Sequence, residues 1–341
     1  MALPIPIGRQ KEVLCLPAKG HFVVLGTAGS GKTTLAILRA AYLANPKTDH
    51  HGKTLLVTFN RALVAYLKHL QERRLAYVVV ENYHKFARGY LAFQGKMPSH
   101  AICRSNQRDK LLAQAVKQIS ERYEPHPLFK WPVARFSEEF RWMAQHGITT
   151  LEAYEDAERI GRAGVRIDRK LRGAVFEIYE AYRDRRESRG MKYDWDDLAT
   201  AVCVEFDTDD TPRRYRHVVI DEGQDFSPEM IRSLAKAVPL DGSLTFFGMS
   251  HNRSMGIVCR GGLRDSTSQR CGNLKRTTEI RSRLLASVSL SRRCHISKVS
   301  LISLHQFRRQ QMDLCRLSLN VFRLVRKSNL SLNKPAEQQG R

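Results

Sequence analysis

The sequence lacks the features that mark membrane, secreted and zinc-binding proteins. No apolar run approaches the roughly 18 residues that suggest a membrane span, and the N-terminus has neither the basic start nor the long apolar stretch of a signal peptide. The seven cysteines form no C-x-x-C pair, so we expect free thiols and no zinc site. We therefore expect a cytoplasmic protein without membrane contact.

Acidic residues are scarce in one part of the chain. The 341 residues carry a formal net charge of +23, which suggests a polyanionic partner. Residues 249–341 hold 19 Lys and Arg against 4 Asp and Glu, a net +15, whereas residues 1–248 hold 38 against 30, a net +8. The charge of residues 1–248 is therefore only a mild indication of nucleic acid.

A phosphate-binding loop stands near the start of the chain. The apolar run 22–25 predicts a buried strand, the next residues match G-x-x-x-x-G-K-[ST], and an amphipathic helix follows. In this motif the backbone N–H groups hold nucleotide phosphates, Lys32 reaches the β- and γ-phosphates, and the Thr33 hydroxyl ligates Mg²⁺. The residues predicted to bind the nucleotide here are Gly26, Thr27, Ala28, Gly29, Ser30, Gly31, Lys32, Thr33 and Thr34.

Strand and helix patterns alternate on both sides of a helical region. Residues 53–59 and 76–80 read as strands, and helices follow from Asn60 and Asn82, which predicts a parallel sheet with helices on its faces. Between residues 101 and 192 the strand signals vanish and helical periodicity dominates. We therefore predict an α/β domain in two parts, 1–100 and 193–248, interrupted by a helical inserted subdomain, 101–192.

A second cluster of polar residues follows the strand predicted at 215–220. Carboxylates at the end of a buried strand lie where ligands bind in an open α/β sheet. Asp221 is placed to hold Mg²⁺, and Glu222 to orient and deprotonate an attacking water. The turn Tyr193-Asp-Trp-Asp-Asp-Leu also carries three carboxylates. We interpret it as a polar turn that enters the helix at Leu198, with a metal site as the alternative.

These motifs, in their order along the chain, resemble superfamily 1 helicases of the UvrD/Rep type. The resemblance covers residues 8–248 and includes Thr58-Phe-Asn-Arg, Tyr83-His-Lys-Phe and the specific box Asp221-Glu-Gly-Gln-Asp. It implies a RecA-like P-loop NTPase fold that uses ATP and Mg²⁺ to move 3′ to 5′ on single-stranded or partly duplex DNA. Protein partners remain unassigned. The family usually has Ala or a larger residue at position 223, so Gly223 should mainly cost local rigidity.

The resemblance also implies roles for individual residues. Gln10 would contact the adenine, and Gln224 would couple the γ-phosphate to domain movement. A DNA track needs phosphate donors and aromatic faces rather than base-edge readout. The residues that the resemblance assigns to this track are Thr58, Phe59, Asn60 and His84.

Two other functions stay open beside the helicase. One is a module that binds nucleotide and DNA without turnover, and the other is a P-loop regulatory ATPase. Gln224 and the elements around Phe59 and His84 argue against the regulatory ATPase. The helicase and the binding module without turnover differ in whether a second motor domain follows.

Residues 249–341 carry none of the expected second-domain pattern. The family continues with Gly-Asp-x-x-Gln-x-Ile-Tyr, whereas Gly248 is followed here by Met-Ser-His-Asn-Arg-Ser-Met-Gly. We back-translated the residues from Met249 onward and read the codons one base earlier, from the last base of the Gly248 codon. With Gly248 kept, this shifted frame permits Gly-Asp-Val-Ala-Gln-Gln-Ile-Tyr-Gly, which matches the family's continuation. We therefore predict that 249–341 is an aberrant, frameshifted basic tail that is disordered and leaves the chain truncated and inactive. A genuine basic nucleic-acid-binding tail is the alternative.

Overall fold

A computed structural model describes residues 6–59, 64–65, 77–158, 167–249 and 256–260. The helix predicted from Asn60 and nearly all of the basic tail lie outside these residues. Most of the α/β domain and of the helical insertion lies within them. The fold is described below for these residues alone.

Six described strands form one sheet in the order β3-β2-β4-β5-β1-β6. The strands are β1 Gly20–Gly26, β2 Thr54–Val57, β3 Val78–Glu81, β4 His217–Ile220, β5 Ser243–Met249 and β6 Gly256–Arg260. The first five are mutually parallel, and β6 runs antiparallel to β1. The carboxyl ends of β1, β2, β3, β4 and β5 therefore meet at one edge.

Alternate residues of the central strands pack into two separate cores. Leu55, Val218 and Phe246 belong to one cluster, whereas Leu56, Val219 and Phe247 belong to the other. Successive side chains of a strand point to opposite faces of a sheet, so both faces of this sheet are covered. This is the RecA-like P-loop arrangement that the sequence predicts, with helices on both faces.

Helices α1 Arg9–Leu14 and α2 Lys32–Leu43 cover the face of the second cluster. Helices α3 Tyr83–Phe93, α8 Leu198–Thr208 and α9 Pro228–Lys236 cover the other face. Local sequence sets two of these starts. The Asn82 side chain accepts from the Lys85 N–H at 2.8 Å, and Ser227 caps the helix that Pro228 opens.

Apart from the bridge at Ile102, the regular elements in the described part of residues 101–192, the predicted inserted subdomain, are helices. Its helices are α4 Ser105–Ser120, α5 Val133–His146, α6 Leu151–Asp156 and α7 Arg169–Glu187, with a 3₁₀ turn at Pro127–Lys130. They bury a core of their own, which includes Leu112, Phe140 and Tyr182. A parallel bridge joins Ile102 to Tyr193. The first and last residues of the inserted segment therefore lie next to each other.

Five residues of the predicted tail are ordered as strand β6. The register pairs His21 with Arg260 and Leu25 with Gly256, and a disordered or poorly packed tail over 249–341 stays a prediction. Without this pairing, β1 would be an edge strand with unpaired N–H and C=O groups among the described residues. Such an edge pairs with extended backbone and depends little on the side chains.

Two further sequence expectations concern the cysteines and membrane-spanning segments. Cys15 is disulfide-bonded, which corrects the expectation of a free thiol at that position, whereas Cys103 and Cys203 are free and buried. A cysteine's partner depends on tertiary proximity, which spacing along the chain does not reveal. No helix in the described ranges is long and apolar enough to cross a membrane.

Candidate nucleotide and DNA site

The loop between β1 and α2 has the backbone of a phosphate cradle. Gly29 and Gly31 adopt left-handed φ values of 76° and 81°, which glycine alone reaches without strain. The N–H groups of Ala28, Gly29 and Gly31 make no hydrogen bond to any described residue. They are therefore free to donate to phosphate oxygens at the start of α2.

Lys32 lies in the centre of this loop. Its side chain is almost fully buried, and its Nζ donates to the Thr27 carbonyl oxygen at 2.9 Å. Burial raises the pKa of the Asp221 carboxyl, and the charge of Lys32 offsets part of that rise. The ammonium group is thus held between the loop backbone and the acidic end of β4.

Thr33 and Asp221 meet although 188 residues separate them along the chain. The Thr33 Oγ1 donates to Asp221 Oδ1 at 3.3 Å. Asp221 is 1% exposed, and its Oδ2 has no hydrogen-bond partner among the described residues. Burial, and then the charge of Glu222, raises the pKa of Asp221 to about 6. A buried carboxylate oxygen without a partner beside a hydroxyl suits the hard oxygen coordination of Mg²⁺.

Glu222 and Gln224 form a link between β4 and β5. Glu222 adopts φ 50° and ψ 47°, a conformation that is uncommon for a residue with a side chain and is found at functional sites. Gln224 Nε2 donates to Glu222 Oε2 at 2.7 Å, and Gln224 Oε1 accepts from the Met249 N–H at 3.1 Å. Gln224 is therefore anchored to the last residue of β5 and orients the Glu222 carboxylate.

Gly223 is required by packing, which sequence reasoning missed. A Cβ at this position would lie 2.2 Å from the Phe246 ring. A Cβ added at Gly248 would lie 2.7 Å from the same Phe246 ring. The large Phe246 side chain thus fits between two glycines, and the effect of Gly223 is not limited to local rigidity.

Replacing Gly223 with Ala is expected to lower the free energy of unfolding by about 1–3 kcal/mol, because overpacking displaces the buried Phe246 ring. Urea unfolding of the full chain measures this. Gly173→Ala is the matched control, since a Cβ there meets nothing within 4 Å and should stabilise helix α7 by about 0.5–1 kcal/mol. Equal urea midpoints for Gly223→Ala and wild type would contradict the packing argument.

Gln10 lies against the phosphate loop. Its Nε2 donates to the Ser30 carbonyl oxygen at 3.1 Å, and its Oε1 accepts from the Ile7 N–H at 3.0 Å. A Cβ on Gly31 would lie 3.2 Å from the Gln10 amide nitrogen. The structure thus brings Gln10 to the nucleotide loop, where its sequence context alone indicates an ordinary surface residue.

An aromatic surface lies beside this site at the same edge of the sheet. Phe59 packs edge-on against His84, with ring centroids 5.9 Å apart, and His84 packs against Trp195 at 5.3 Å. Thr58, which directly follows β2, is fully buried. Asn60 lies outside the described residues. Three of the four predicted DNA-track residues are therefore close to one another.

Trp195 and Arg88 belong to this surface and were not predicted for it. Trp195 is 44% exposed, and the Arg88 guanidinium lies 5.8 Å from the centre of its indole ring. The signal was present in the turn Tyr193-Asp-Trp-Asp-Asp-Leu, whose aromatic residue stands between acidic ones. Its direction toward His84 depends on the tertiary structure.

The carboxylates beside Trp195 are ion-paired with helices of the inserted subdomain. Asp194 lies 3.1 Å from Arg186 Nη1, and Asp196 lies 3.1 Å from Arg108 Nη1. The Tyr182 hydroxyl also donates to Asp194 at 2.8 Å. These contacts favour the polar turn over a metal site. They also hold Trp195 in a fixed position, because the residues on both sides of it are clamped.

Comparisons with known proteins agree with this geometry. A family model of the UvrD/REP helicase N-terminal domain matches residues 8–248. A search of curated proteins finds no match. The matched range includes the phosphate loop, the inserted helices and the acidic end of β4.

Proposed function

The chain belongs to the UvrD/REP helicase family, and from that premise we propose that it binds Mg·ATP and single-stranded DNA as the N-terminal motor part of a 3′-to-5′ DNA translocase. The family is one of ATP-dependent helicases. The direction of movement, the ligands and the individual residue roles are the proposal. One observation supports it most. Thr33 and Asp221, far apart in sequence, lie 3.3 Å apart, and one buried oxygen of Asp221 has no partner in the described ranges.

The nucleotide would lie across the N-terminus of α2. The unpaired loop N–H groups and Lys32 would hold its phosphates, and Gln10, which adjoins Gly31, would contact the adenine. Thr33 and Asp221 would hold Mg²⁺, which supplies charge neutralisation on the β- and γ-phosphates when bound. Glu222 would accept the proton of the attacking water, oriented by the hydrogen bond from Gln224.

Single-stranded DNA would lie over the aromatic surface of Phe59, His84 and Trp195. Every base has a π-face, so stacking on such rings holds a strand without reading its sequence. Arg88, placed over the Trp195 ring, offers a cation to the adjacent phosphate. The link from Glu222 through Gln224 to Met249 N would carry the state of the nucleotide to the end of β5.

Trp195→Ala is expected to weaken binding of oligothymidylate about 5- to 150-fold, the effect of losing one stacked base. Fluorescence anisotropy with the full chain measures the affinity. Tyr123→Ala is the matched control, since Tyr123 is a 40% exposed aromatic residue of the inserted subdomain. If the two variants bind DNA equally well, Trp195 is not part of the track.

A nucleotide- and DNA-binding module without turnover is the second candidate. It is favoured by the sequence of residues 249–341, in which we find no second-domain motif. We propose that this segment arose by a one-base frameshift near codon 248. The gene sequence tests this directly, because restoring one base must open a frame that encodes a second RecA-like domain with its arginines.

A further inference from the structure

A large groove runs along α3 and joins the aromatic surface. It measures about 1810 Å³ and is lined at one place by His84, Arg88 and Trp195. Its walls continue along α3 to Phe93 and include Arg104 and Arg214. Pockets for small molecules usually measure about 300–1,000 Å³. The groove is therefore large enough for a polymer rather than for a single small ligand.

Positively charged side chains outnumber carboxylates in the lining of this groove. Lys85, Arg88, Arg104, Arg213 and Arg214 line it against two carboxylates, Glu81 and Asp209. Both carboxylates are already paired.

Glu81 lies 3.1 Å from Lys85, and Asp209 lies 3.4 Å from Arg213. Arg88, Arg104 and Arg214 have no carboxylate partner among the described residues. Within the described part of the chain, three guanidinium groups of the groove thus lack a carboxylate partner.

Arg104 and Trp195 both line the groove. Each follows by two residues one partner of the bridge between Ile102 and Tyr193. Both are exposed. Arg214 stands at another wall of the groove, with its guanidinium 5.5 Å from the Tyr215 ring. The exposed Phe93 ring, 76% accessible, adds a further apolar surface.

We propose that this groove is an extension of the DNA track, in which Arg104 and Arg214 bind the phosphates of single-stranded DNA beyond the nucleotide stacked on Trp195. The inference rests on the proposed function and extends it to a second stretch of the strand. The occupant is single-stranded nucleic acid because the groove continues from the aromatic surface and combines unpaired arginines with exposed rings. A cationic groove with stacking platforms is how proteins bind such strands without sequence preference.

The test compares two lengths of oligothymidylate on the full chain. A strand of about 5 nucleotides covers the aromatic surface alone, and one of about 20 nucleotides also reaches the groove. The variant is R104A/R214A, which leaves Arg88 on the Trp195 ring. The control, R122A/R189A, removes two exposed arginines outside the groove and so loses the same charge. Circular dichroism and Mg·ATP binding verify that each variant is folded.

R104A/R214A is expected to bind the long strand about 2- to 30-fold more weakly, as for two exposed ion pairs. It should bind the short strand as wild type does. The slope of log affinity against log salt for the long strand should fall by about 1.4, or about 0.7 for each lost phosphate contact. The control variant should match wild type on both strands. Polyglutamate of equal charge should not displace the long strand at the concentration at which oligothymidylate does.

Three outcomes overturn the proposal. In the first, R104A/R214A binds the long strand with the same affinity as the control variant. In the second, it loses affinity for the short and the long strand equally. In the third, polyglutamate competes as well as DNA, which indicates an acidic protein partner. Failure of the proposed function gives a different pattern. In that case wild type binds neither strand, or Trp195→Ala leaves the affinity for the short strand unchanged.

Discussion

A polypeptide of residues 1–341 is expected to hydrolyse ATP about 10³–10⁵-fold more slowly than the same residues 1–248 joined to a second RecA-like domain. In this class of enzyme, arginines supplied to the γ-phosphate stabilise the charge that develops in the transition state. Lys32 is the cation whose charge acts on Asp221, and Arg39 is buried, with its guanidinium bonded to the carbonyl oxygens of Leu14, Leu16 and Pro17. Such an arginine must come from outside the described site.

The measurement is steady-state phosphate release with and without single-stranded DNA. The matched comparison is the product of a gene with one base restored near codon 248. Glu222→Gln in that longer product is the control, because it removes the proposed base and should lower the rate about 10²–10⁴-fold. Robust DNA-stimulated hydrolysis or unwinding by residues 1–341 would refute the prediction.

Lys32→Ala is expected to weaken Mg·ATP binding about 10²–10⁴-fold. The ammonium group would donate to both the β- and γ-phosphates, and each hydrogen bond to a charged group contributes about 1.5–3 kcal/mol. The side chain is already held at the loop by its bond to the Thr27 carbonyl oxygen, so little ordering cost opposes that gain. Titration with a fluorescent ATP analogue measures the loss.

Lys19→Ala is the control for this loss, because Lys19 is exposed just before β1 and should leave the affinity unchanged. Thermal unfolding in the absence of nucleotide verifies that Lys32→Ala folds. Equal affinity of Lys32→Ala and wild type would exclude the role assigned to Lys32.

Contiguous motifs were sufficient to predict the strand, loop and helix at which we propose the nucleotide site. The phosphate loop uses residues that are neighbours in the chain, and the strand before it and the helix after it are encoded locally. The same holds for Asp221 at the end of β4 and for the helical insertion, where periodicity over many residues identified α4 and α7. Family membership also followed from the order of these motifs. The individual roles of Gln10, Glu222 and Gln224 stay predictions.

The sequence alone therefore determined the helices and strands and their order, because helix periodicity, strand patterning and turn residues act over a few positions. Only the tertiary structure decided which distant side chains meet. Gly223 fits Phe246, the inserted helices clamp the turn that presents Trp195, and β6 pairs with β1. Close packing and ion pairing act across space with no fixed spacing along the chain, so no local pattern encodes these contacts.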